Sequence, residues 1–205
     1  MIIYHDGITH VMTLLIGVRN HSDFVVGCDS LVKHISHDGK VTYSKGQKLF
    51  PLGARTALMV SGAYESDMCQ FVRDFAFNNQ NETDLETLGR SLINHPTLPK
   101  PTKGHNMKFT LVGFIRDEPC RVSVGIEYGK EPQLEQSQGT HFSVGFDGPR
   151  VRAMELMNEA INKHKGEFKL TDLRKIVKST LLKSIREYKN SADERLGGPP
   201  VIHVL

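Results

Sequence analysis

The chain has 205 residues, of which 39% are hydrophobic and 24% are charged, and its formal net charge is +3 at pH 7. This composition is ordinary for a globular protein, and the small positive charge without a basic, aromatic-rich patch argues against nucleic-acid binding. No apolar stretch approaches the roughly 20 residues that span a bilayer, and no secretory signal pattern is present. The 3 cysteines are scattered in apolar settings, which is typical of reduced thiols in a cytoplasmic protein.

Residues 1–12 precede the most informative stretch of the sequence and allow three interpretations. They are a leader or propeptide that is cleaved, an upstream extension with Met12 as the true start, or an ordinary first strand that is never processed. In the first two cases the folded unit is a single domain over residues 13–205.

Four short apolar runs follow, and each is predicted to form a strand. Thr13 opens the first run, Asp29 closes the second, Lys48 opens the third and Gly62 closes the fourth. A hydroxyl, a carboxylate, an ammonium group and a flexible backbone turn are therefore expected to meet at one end of a sheet.

The rest of the chain alternates between groups of helices and groups of strands. The order of the elements favours two sheets packed face to face, with a helical layer on each outer side. Hydrophobic periodicity predicts helices over 63–79, 85–93, 151–163 and 171–188, and strands over 109–115, 121–126, 141–145 and 201–205. Either Thr83 or Asp84 is expected to cap the second helix.

The Thr13-to-Gly62 stretch resembles the proteasome β-subunit family and its bacterial HslV-type relatives, which are N-terminal nucleophile hydrolases. The matching features are the threonine that opens a strand, the Val-Val-x-x-Asp-Ser segment ending at Ser30, the Lys48 before an apolar pair, and the Ser61-Gly62 turn. The segment from Asp29 to Lys48 is longer than in the family, and we expect an enlarged turn there. The resemblance covers nearly the whole chain and implies an α+β, four-layer αββα sandwich.

The resemblance also implies a mechanism in which Thr13 becomes the N-terminal residue and acts as the nucleophile. Its own α-amino group is then the base, since that amine titrates near ~7.7–8.0 in model peptides. Lys48 is expected to favour the neutral amine and the developing alkoxide, with Asp29 holding Lys48 in place. The backbone N–H of Gly62 is expected to donate to the oxyanion.

Two positions depart from the family pattern. Asp193 matches a supporting aspartate, but Leu196 stands where the family has a serine. Phe146 or Asp147 stands where a second serine is usual. Asp147 is a candidate to replace that serine as a hydrogen-bond acceptor.

Three functions remain open on the sequence alone. The first is a threonine peptidase that acts on peptides or unfolded proteins inside stacked rings of like subunits, with an ATP-dependent unfoldase as a partner. The second is a non-catalytic ring scaffold, and the third is an N-terminal nucleophile amidohydrolase acting on a small molecule. Neither a cofactor nor a metal is expected, because His34 and His37 lack further ligands at zinc-site spacing.

Overall fold

The computed structural model describes residues 7–11, 13–36, 38–64, 68–79, 82–101, 103, 106–115, 118–145, 147–192 and 194–205. Within these ranges the chain forms twelve strands and four helices. The strands are β1 (Gly7–Val11), β2 (Leu15–Arg19), β3 (Phe24–Cys28), β4 (Leu31–Ser36), β5 (Val41–Lys45), β6 (Leu49–Pro51), β7 (Ala57–Tyr64), β8 (Asn106–Ile115), β9 (Glu118–Glu127), β10 (Gln133–Gln138), β11 (His141–Val144) and β12 (Val201–Val204). The helices are α1 (Met68–Asn78), α2 (Leu85–Ile93), α3 (Asp147–Lys163) and α4 (Leu170–Tyr188).

The strands make two sheets whose pairings are antiparallel. The large sheet has the order β10-β9-β8-β7-β1-β4-β5, with β6 also paired to β7, and the small sheet has the order β11-β2-β3-β12. In the small sheet Leu15 lies opposite Cys28, so the start of β2 is beside the end of β3.

Three apolar clusters define the layers. One lies between the sheets and includes Val26 of the small sheet and Met59 of the large sheet. A second packs α1 and α2 against the large sheet, and Phe75 is fully buried there. The third packs α3 and α4 against the small sheet around Val177. Since burial of one such side chain contributes about 1.5–3 kcal/mol, these clusters fix the helix–sheet–sheet–helix order. The predicted αββα sandwich is confirmed.

The predicted helix over 85–93 is confirmed, and the structure selects Asp84 as its cap. The Asp84 carboxylate accepts a hydrogen bond from the backbone N–H of Thr87 at 2.7 Å. This bond satisfies one of the amides that a helix leaves without an internal partner at its first turn. Among the four helices described, none is long and apolar enough to cross a membrane.

Several other boundaries differ from the sequence prediction. Strand β7 continues past Gly62 to Tyr64, so the first helix begins at Met68 rather than at residue 63. The enlarged turn expected between Asp29 and Lys48 is a hairpin of β4 and β5. The periodicity missed β5 because all five of its residues are exposed, and it missed β10 because that strand is mostly polar.

Strand β1 lies inside the large sheet, between β4 and β7. Thr9 pairs with His34 on one side and with Tyr64 on the other, and Val11 pairs with Gly62. Residues 1–6 and Met12 lie outside the described residues. Within the segment interpreted as a leader, residues 7–11 thus form a strand, and removal of the segment stays a prediction.

Gly62 should resist substitution because of both its conformation and its surroundings. Its φ is +116°, and a Cβ there would lie 2.2 Å from the carbonyl oxygen of Asn106. We expect Gly62→Ala to lower the free energy of unfolding by about 1–3 kcal/mol from the backbone strain alone. Gly53→Ala is the matched control, because a Cβ at Gly53 meets nothing within 4 Å. Urea denaturation of both variants measures the difference, and equal stabilities would contradict this account of Gly62.

Candidate active site

The antiparallel pairing of β2 and β3 brings the Thr13-Leu14 segment beside Asp29. The backbone N–H of Asp29 donates to the Leu14 carbonyl at 3.2 Å. In return the Leu14 N–H donates to Oδ1 of Asp29 at 3.0 Å. The residue after the candidate nucleophile is therefore hydrogen-bonded to the candidate carboxylate.

Asp29 and Lys48 form an ion pair that is completely buried. Lys48 Nζ lies 3.0 Å from Asp29 Oδ1, and both side chains are 0% exposed. Lys48 is brought there by the start of β6, and its carbonyl accepts a hydrogen bond from the N–H of Val60 in β7. A buried pair of this kind needs further hydrogen bonds to offset the loss of hydration.

Backbone amides from three segments supply those hydrogen bonds. Oδ2 of Asp29 accepts from the N–H of Leu31 at 3.2 Å and from the N–H of Gly197 at 3.4 Å. Together with Leu14, these donors surround the carboxylate with positively polarised N–H groups. The carboxylate position is thus set by the chain at residues 14, 31 and 197.

Burial dominates the protonation equilibria of this group. Burial lowers the pKa of Lys48 and raises the pKa of Asp29, while the charge and hydrogen bond of each partner act in the opposite direction. Burial also raises the pKa of the neighbouring Cys28 thiol to about 12. Cys28 therefore stays protonated at neutral pH and is unsuited to act as a nucleophile, since the thiolate is the reactive form.

Thr13 is almost fully buried while residues 1–12 are attached. Its Oγ1 donates to the Val60 carbonyl over 3.5 Å. Gly145, with a φ of +147°, packs so closely that a Cβ there would lie 2.2 Å from the Thr13 carbonyl oxygen. The segment after β11 therefore forms one wall around Thr13.

Gly62 lies within β7 rather than at its end. It pairs with Val11 of β1 on one side and with Met107 of β8 on the other. The edge of β7 at Gly62, the expected oxyanion donor, is therefore already paired with β1.

The supporting residues expected from the sequence were Asp193, Asp147 and the two positions that lack a serine. Asp193 and Phe146 lie outside the described residues. The structure does not bring Asp147 into the buried group, because its side chain is 91% exposed and forms an ion pair with Arg150. Leu196 is buried in the cluster between the small sheet and the helices, so an apolar contact stands at the position where proteasome β-subunits have a serine.

Two contributors were missed in the sequence analysis. Gly145 packs against the Thr13 carbonyl. Glu194 accepts a hydrogen bond from the N–H of Gly148 at 3.2 Å. A glycine after an apolar run gave a weak signal for Gly145. Nothing in the local pattern distinguished Glu194 from the polar loop around it.

Comparison with models of protein families and with curated proteins finds no match. Similar folds occur among solved structures. Eukaryotic HslV from Trypanosoma brucei is 12% identical with a TM-score of 0.58, and the alignment covers 94% of this chain and 98% of that one. Anbu, an ancestral beta-subunit, from Yersinia bercovieri is 16% identical with a TM-score of 0.53 and coverage of 94% and 81%. Anbu from Hyphomicrobium sp. strain MC1 is 12% identical with a TM-score of 0.52 and the same coverage.

These likenesses extend over most of this chain and show an HslV- and Anbu-like fold. At such low identity they establish the fold alone.

The Asp29–Lys48 pair gives a direct stability test. Lys48→Met removes the countercharge of a buried carboxylate, so we expect the free energy of unfolding to fall by about 3–5 kcal/mol. Asp29→Asn combined with Lys48→Met should recover part of that loss, since no uncompensated charge then remains. Urea denaturation measures all three proteins.

Lys163→Met is the control for loss of a lysine. Lys163 pairs with Glu159 at the surface, where an ion pair contributes about 0–1 kcal/mol. If Lys48→Met were no more destabilising than Lys163→Met, the buried pair would not be the constraint inferred from the geometry.

Proposed function

We propose that this chain is the catalytic subunit of a proteasome-like particle and hydrolyses peptide bonds with Thr13 as its N-terminal nucleophile. The observation that carries the proposal is the buried Asp29–Lys48 pair beside the Thr13-Leu14 segment. Such a pair is weak evidence for stability, and perturbed buried charges are concentrated at functional sites. The HslV- and Anbu-like fold supports the same assignment.

In the proposed reaction, the free α-amino group of Thr13 accepts the proton of its own hydroxyl. Oγ1 then attacks the substrate carbonyl, the C–N bond breaks, and the proton passes to the leaving amine. Water hydrolyses the resulting ester and restores Thr13. Lys48 favours the neutral amine and the developing negative charge, and Asp29 holds Lys48. The Gly62 N–H is the proposed donor to the oxyanion, with Asp193 in a supporting role.

The position of β1 supports a requirement for removal of residues 1–12. An amide bond to Met12 leaves Thr13 without a basic amine. Strand β1 also fills the space between β4 and β7. Its removal would leave two strand edges facing each other, and an extended peptide can pair with such edges through its main chain.

The proposal includes self-association into stacked rings, with an ATP-dependent unfoldase as a further partner. The resemblance of the Thr13-to-Gly62 motif to proteasome β-subunits is the reason for both. Two helices carry apolar side chains that the core does not use, because Phe77 of α1 is 72% exposed and Val151 of α3 is 47% exposed.

Assembly can be tested by light scattering at micromolar concentration. We expect a mass many times the 23.0 kDa of the chain. Phe77→Asp should reduce that mass if α1 lies in a subunit contact, whereas Phe77→Leu should preserve it. A monomeric mass for the unaltered protein would rule out the particle.

A non-catalytic ring scaffold is the second candidate. Burial of Leu196 where the family has a serine favours it, as does the incorporation of β1 into the sheet. In a scaffold, β1 would be a permanent strand and Thr13 would stay within the chain.

The decisive experiment compares the full chain with one that begins at Met12. The initiator methionine is removed before a small residue such as threonine, so the shorter chain exposes the Thr13 amine. We expect the shorter chain to hydrolyse peptide amides, and we expect the full chain to be inactive while residues 1–12 remain attached. Intact mass verifies both N-termini.

Two variants of the shorter chain sharpen this comparison. Thr13→Ala should abolish hydrolysis, and Thr13→Ser should retain part of it because the hydroxyl and the amine are kept. Equal activity of both chains, with Met12 still joined to Thr13, would exclude the mechanism. An inert shorter chain that also fails to react with threonine-directed electrophiles would favour the scaffold.

A further inference from the structure

Glu194 makes an unusual contact with the start of α3. Its Oε1 accepts a hydrogen bond at 3.2 Å from the N–H of Gly148, the second residue of that helix. Amides in the first turn have no partner within their helix, and a negative charge is favourable there. Glu194 lies in the loop between α4 and β12, so this helix is capped from 46 residues away in the sequence.

The Glu194 carboxylate occupies the space that a side chain at position 148 would need. A Cβ on Gly148 would lie 2.4 Å from Glu194 Oε2 and 3.1 Å from the Tyr188 hydroxyl. Because Gly148 is helical, its backbone conformation does not require glycine. A larger residue would instead displace the carboxylate, which lies at the end of a flexible side chain.

The loop that carries Glu194 also reaches the buried ion pair. Glu194 N–H donates to Ser191 Oγ at 3.1 Å. Three residues after Glu194, the N–H of Gly197 donates to Asp29 Oδ2, and the Gly197 carbonyl accepts from the N–H of Ser30 at 3.1 Å. A displacement of this loop would therefore move a hydrogen-bond donor of Asp29.

The segment that carries Gly148 also contacts Thr13. Gly145, three residues before Gly148, packs against the Thr13 carbonyl. The Glu194–Gly148 hydrogen bond thus joins the segment that touches Thr13 to the segment that holds Asp29. We propose that Glu194 is a positioning residue that keeps these two segments in register for the reaction at Thr13. This inference depends on the proposed peptidase function.

The first test uses the chain that begins at Met12 and measures peptide hydrolysis. Since a displacement of about 1 Å at a distance from the reacting atoms can reduce the rate about 100-fold, we expect Glu194→Ala to lower kcat by about 10-fold or more. KM should change by less than about 2-fold, because Glu194 does not touch substrate in this proposal. Glu194→Gln should restore most of kcat, because its amide oxygen can accept the same hydrogen bond.

Gly148→Ala separates positioning from stability. Alanine is a better helix former than glycine, so the melting temperature should not fall much. The new Cβ displaces the Glu194 carboxylate, and kcat should fall as it does for Glu194→Ala. The double variant should be no slower than Glu194→Ala alone, since both changes break one contact. Glu155→Gln, which alters an exposed carboxylate of α3, is the control and should keep normal kcat.

A readout that needs no activity separates failure of this inference from failure of the proposed function. Hydrogen exchange should accelerate in Glu194→Ala at the Gly148 and Gly197 amides and stay unchanged in α2. If the parent chain is active and Glu194→Ala has normal kcat, the positioning role is excluded. If the parent is inert, unchanged exchange at Gly197 excludes the link to Asp29, and faster exchange supports it.

Discussion

The buried ion pair between Asp29 and Lys48 is the constraint on which the rest of the site depends. Two charges without access to water are stable only when every acceptor has a donor and every donor an acceptor. For the Asp29 carboxylate the chain supplies amides at Leu14, Leu31 and Gly197, and the first and last of these come from parts of the sequence far from Asp29. A small displacement of any of these segments would remove a hydrogen bond from the Asp29 carboxylate, so the pair fixes the local geometry of both sheets.

The parts of this architecture with a clear apolar pattern could be predicted from the sequence. The helices over 85–93 and 171–188 were found nearly to the residue, because each has one buried face and a recognisable start. The positions of Asp29 and Lys48 at strand ends also followed from the apolar runs beside them.

The elements and contacts that could not be predicted lack a periodic apolar pattern in the sequence. Strand β5 buries none of its residues, and β10 contributes chiefly Leu134 to the core, so neither has a periodic signal. The Glu194–Gly148 contact joins distant segments through one carboxylate, and no spacing rule anticipates it. The exposed position of Asp147 depends on which way the first turn of α3 faces, and a single sequence does not show that.

The central place of β1 in the large sheet has a consequence for the order of the two proposed events, assembly and removal of residues 1–12. Among the described strands, β1 alone joins the β4–β5 hairpin to β7. An isolated two-stranded hairpin is only marginally stable, and open strand edges pair readily with other chains. A subunit that lost β1 while free in solution would present two such edges at once and be prone to aggregate. In the proposed particle, loss of β1 after assembly would instead keep both edges away from neighbouring particles, so assembly before removal of β1 is the safer order.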